Sequence, residues 1–190
     1  MAALYHYFYE AINLRSMGLL LGLLLFTTHL FALSCSPRVR AWLQKLPRNR
    51  RLGIFILAVD ALWAYMVISN MDLGEFFTIR RAIQLGIPIG FVLIITFADE
   101  FLAVRATGVL FLLAASPILG SAFLEAPASR LLIPLLAYVM VLKGLFWVGM
   151  PYLMRESIEW VAQKPGRWRA AAGAGAAYGA ALVACALAFY

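Results

Sequence analysis

Six long apolar stretches, separated by short loops that hold nearly all of the charge, constrain this chain more than any other feature of it. About 20 apolar residues at ~1.5 Å rise each carry a helix across a hydrocarbon core ~30 Å thick. The apolar runs are continuous rather than periodic, so lipid is the expected solvent. The predicted spans cover 17–34, 52–69, 82–97, 102–123, 131–153 and 170–189. The expected fold is therefore an all-α polytopic membrane bundle of six transmembrane helices, forming one integral membrane domain over residues 1–190.

Composition agrees. Of 190 residues, 64% are hydrophobic and 13% charged, with a mean hydropathy of +0.88. A soluble domain has roughly 45–50% apolar and about 25% charged residues. The third span is short, and only Ala98, Asp99 and Glu100 join it to the fourth. Two charges there predict a tight hairpin at the membrane surface, with Asp99 capping the fourth helix.

Lys and Arg mark cytoplasmic loops. One face gathers Arg38, Arg40, Lys45, Arg48, Arg50 and Arg51, then Arg155, Lys164, Arg167 and Arg169, and Arg105 at the tight join. The other face holds Arg15, Arg80, Arg81 and Arg130. The bias predicts both termini outside a cell membrane and the basic loops in the cytoplasm. The net charge of +7 then reflects topology and attraction to anionic lipid at the cytoplasmic face. Nucleic acid is not an expected partner, because the basic loop is short and tethered by two spans.

The first span is read as uncleaved, since a basic loop follows it. Ahead of it, Tyr5, Tyr7, Phe8 and Tyr9 suit a short interfacial helix. After it, Val39, Trp42, Leu43 and Leu46 recur at helical spacing among arginines, the pattern of an amphipathic surface helix. Residues 155–163 are expected to continue the fifth helix out of the membrane until Pro165-Gly166 breaks it. Ser116-Pro117 predicts a kink in the fourth span. No internal repeat supports an inverted-repeat transporter.

Small residues four apart let helix backbones approach closely. Gly18 and Gly22, Gly86 and Gly90, and Gly175 and Gly179 have that spacing. The sixth span is almost wholly Ala and Gly, so its Gly175/Gly179 face is expected to meet protein, either within the subunit or on a partner or second copy.

His29, Asp60 and Lys143 are the ionisable residues inside spans. Helical rise places them ~8, ~12 and ~15 Å from the cytoplasmic end of their predicted spans. Lys143 is then too deep to snorkel fully. Two readings follow: an Asp60–Lys143 clasp fixing helix register, or an ion or proton site with His29 as relay. Cys35 and Cys185 fall at opposite ends and are not expected to pair.

No spacing of Cys, His or carboxylates predicts a metal site or a cofactor, and no nucleophile elbow, His-Glu-x-x-His or phosphate loop is present. A single deep His, with His6 near the other face, does not suit haem. The favoured expectation is an accessory or scaffold subunit of a larger membrane assembly. A small transporter or channel using Asp60, Lys143 and His29 is the alternative, ahead of an enzyme.

Overall fold

Asn13 opens the first long helix: its side-chain oxygen accepts the Ser16 amide at 2.8 Å, occupying one of the amides a helix start leaves unbonded. Asn49 does the same for the next, accepting from Leu52 at 3.1 Å. These caps begin a computed structural model that describes residues 2–97 and 101–190, helical and without strands among them.

A short helix α1 (Ala2–His6) runs into a π-helical turn over Tyr7–Ala11. The long helices follow as α2 (Leu14–Ser34), α4 (Arg50–Asn70), α5 (Arg80–Phe97), α6 (Leu102–Ser121), α7 (Leu132–Gly149) and α9 (Pro165–Ala188). Two shorter ones, α3 (Ser36–Lys45) and α8 (Tyr152–Gln163), lie at the end of the bundle where the basic loops gather. With their 3₁₀ lead-ins counted, six helices are long and apolar enough to cross a membrane.

Three boundaries differ from expectation. The third apolar helix is not short: a 3₁₀ segment, Gly74–Ile79, leads into α5 and makes a stretch of 24 residues. The fifth does not run on through Arg155. It stops at Gly149, and α8 is a separate helix. Pro151 is the reason, because its ring disfavours helical backbone at the preceding residue, and Met150 turns out at φ −129°, ψ 72°. The sixth starts five residues early, with Pro165 in its first turn, where a missing N–H is harmless. Pro117 lies within α6, which stays helical to Ser121. The expected cap at Asp99 falls outside the described residues.

Glycine decides which helices touch. α2 and α9 run antiparallel in close contact. A Cβ on Gly22 would come 2.9 Å from the Gly179 carbonyl, and one on Gly179 would come 2.8 Å from the Gly22 carbonyl. A Cβ on Gly18 would sit 3.1 Å from that of Ala186. α6 and α7 cross the same way through Gly108 and Gly144, each Cβ position within 2.9 Å of the other's carbonyl. Gly53 lets α4 approach the Ala103 backbone of α6. By contrast, a Cβ on Gly86 or Gly90 would meet nothing within 4 Å. α5 packs chiefly on α4, and none of its described residues is buried.

The four helices α2, α6, α7 and α9 converge at the end away from the basic loops. Leu21, Ile118, Ile133, Ala137 and Leu182 form the core there. At the basic end the buried cluster is different: Leu46, Ala103, Val104 and Met154 join α6 to α8 and the α3–α4 turn, without α2 or α9.

Candidate functional site

His29, Asp60 and Lys143 occupy three separate settings. Asp60 lies in α4 at 2% exposure, on the side that packs against α6. Neither carboxylate oxygen has a hydrogen-bond partner. Lys143 is exposed on α7, its ammonium 6.0 Å from the Trp147 ring centre. His29 belongs to the α2–α9 pair, where its ring fills the notch left by the absent side chain of Gly175. Its Nδ1–H donates to the Leu25 carbonyl at 2.8 Å.

The expected Asp60–Lys143 ion pair is therefore not formed. The shift in the end of α7 explains the lysine. With α7 ending at Gly149, Lys143 is about 9 Å from the basic end rather than ~15 Å. Its stem runs toward Trp147, one turn nearer that end, so the ammonium leans outward along an aromatic side chain. His29 contacts neither of the other two, because α2 pairs with α9 while Asp60 sits in the α4–α6 contact.

The aromatic N-terminal segment folds back on the bundle. Trp63 of α4 donates its indole N–H to the Tyr9 hydroxyl at 3.0 Å, and Tyr5 stacks on Tyr9 with ring centres 4.8 Å apart. Burial raises the Tyr9 pKa, with the Trp63 hydrogen bond opposing. Trp63 is the residue that sequence reasoning missed here. A Trp within an apolar run carries no sign of a partner 54 positions away.

A second missed feature is a cleft of about 730 Å³ at the basic end, between the α2–α9 pair and α3. It follows from the two cores described above, since at this end α2 and α9 have left α6. Thr28, His29 and Ala32 line it from α2, and Trp168, Ala171 and Ala172 from α9. Val39, Trp42 and Leu43, the apolar positions of the amphipathic α3, face into it. Arg38 stands at its edge. Arg40 lies over the Trp168 ring at 5.2 Å.

Among the described residues no group of three His, Cys, Asp or Glu gathers as metal ligands. Cys35 and Cys185 are both free thiols. No known protein family, characterised protein or solved structure matches the chain.

Proposed function

We propose that this protein is a multi-pass integral membrane protein of the cell membrane, acting as a non-catalytic accessory subunit that associates through the outer face of α5. Six apolar helices of spanning length support the membrane placement. The charge bias supports both termini outside and α3 and α8 in the cytoplasm.

The observation that carries the subunit reading is the position of α5. Gln84 donates to Ser69 Oγ at 3.0 Å and so sets the side that faces α4. At 100° per residue, Gly86 and Gly90 lie on the opposite side. Ile89, Leu93 and Phe97 share that side at 59%, 49% and 83% exposure. Two glycines one turn apart, bordered by large apolar side chains, suit a close helix contact in lipid. The separation of His29, Asp60 and Lys143 weighs against the transport alternative, which needs them on one polar route.

The test compares tagged wild type with a Gly86→Leu/Gly90→Leu variant, extracted from native membranes in mild detergent. Wild type is expected to show a protein mass, after subtraction of bound detergent, above the 21.0 kDa of one chain. The variant is expected to run as a monomer with an unchanged unfolding midpoint, because a Cβ at either position meets nothing within 4 Å. A monomeric wild type, or a variant that stays associated, overturns the reading.

A further inference from the structure

The geometry points to a binding site for an anionic phospholipid at the basic end, with acyl chain in the cleft beneath α3 and phosphate on Arg38. This rests on the membrane placement proposed above.

The interior of the cleft suits hydrocarbon. Its volume of about 730 Å³ falls in the roughly 300–1,000 Å³ range of small-molecule sites. Its polar side chains already have backbone partners. Thr28 donates to the Leu24 carbonyl at 2.6 Å, His29 to Leu25 at 2.8 Å and Trp168 to Ala32 at 3.0 Å. Apart from the second ring nitrogen of His29 and the Arg38 guanidinium, what faces the space is aliphatic and aromatic surface, which gains by excluding water.

The edge of the cleft suits an anion. Arg38 is exposed and makes no ion pair or hydrogen bond within the described residues. Arg40, two positions on, has a buried Nε without a hydrogen-bond partner. α3 contains Arg38, Arg40 and Lys45 and no acidic residue. A guanidinium offers a fork of donors that matches phosphate oxygens. Hydrocarbon space ending at an unpartnered guanidinium is complementary to a lipid with a charged phosphate and no compensating amine. Phosphatidylglycerol has that chemistry.

Full-length protein is reconstituted into phosphatidylcholine nanodiscs containing increasing phosphatidylglycerol with brominated acyl chains, and tryptophan fluorescence is followed. Bulk contact quenches in proportion to mole fraction, whereas a site saturates. Wild type is expected to show a saturable component that brominated phosphatidylcholine does not produce. Trp42→Phe should reduce that component, and Ala171→Phe, which fills the cleft, should remove it. Arg38→Gln should raise the half-saturating fraction roughly tenfold, equivalent to about 1.4 kcal/mol. Arg169→Gln removes the same charge outside the cleft and should leave it unchanged. Linear quenching by both lipids, or equal effects of Arg38→Gln and Arg169→Gln, overturns the site while leaving the membrane placement intact. Failure of the protein to enter nanodiscs overturns both.

Discussion

Asp60 has a geometry that sequence reasoning could not reach. Its place within a long apolar helix was legible in the sequence, but the direction of its side chain was not. The expected clasp assumed that two opposite charges at similar depth must meet. The structure instead turns Asp60 into the α4–α6 contact and Lys143 out of the bundle. A carboxylate at 2% exposure with neither oxygen bonded is a cost to the fold. Asp60→Leu is accordingly expected to stabilise by about 1–3 kcal/mol, seen as a higher thermal midpoint in detergent. Lys143→Met should not destabilise, because the ammonium makes no ion pair that the fold would lose. A clasp would give the opposite result, each single substitution destabilising on the order of 3–5 kcal/mol. Measuring both variants separates the two.

Among the elements, α2 and α9 depend most on small residues. Their contact is set by Gly22 and Gly179, whose Cβ positions fall within 2.9 Å of the facing backbone. A Leu at 179 cannot be accommodated by rotating a side chain, since the obstacle is main chain. Gly179→Leu is expected to destabilise by about 3 kcal/mol or more, beyond the usual penalty for overpacking. Folded yield and midpoint would register it, whereas Gly173→Leu, with nothing within 4 Å, serves as the tolerant comparison. The small-residue pattern was legible in the sequence, but not its pairing. Gly86 and Gly90 share the spacing yet face open space, while Gly108 and Gly144 lack a glycine four residues away and form a close crossing. Spacing reports what a helix face permits, and only the neighbouring helix determines whether it is used. α3 illustrates the same limit. Its amphipathic pattern was visible, but a lipid surface and a roofed cleft demand the same apolar positions.

For the whole molecule, the proposed topology makes a direct prediction. Single cysteines placed in 72–75 or at Glu125, in a background lacking Cys35 and Cys185, should react with an impermeant reagent in intact cells. Cysteines placed in 38–51 should react only after the membrane is permeabilised. Labelling of the basic loop in intact cells would invert the topology and put the proposed lipid site on the outer leaflet.

The helical class, the number of long helices and the gathering of charge at one end were determined by the sequence alone. Each depends on local composition: hydropathy over about 20 residues, proline and asparagine at helix boundaries, and the count of Lys and Arg in each loop. Tertiary structure decided the rest: the α2–α9 and α6–α7 pairings, the outward turn of Lys143, the isolation of Asp60, the docking of Tyr9 on Trp63 and the cleft beneath α3. Apolar helices in such a bundle are nearly equivalent as packing partners by hydrophobicity. Shape at close range selects among them, and that information lies in the combination of two surfaces rather than in either sequence.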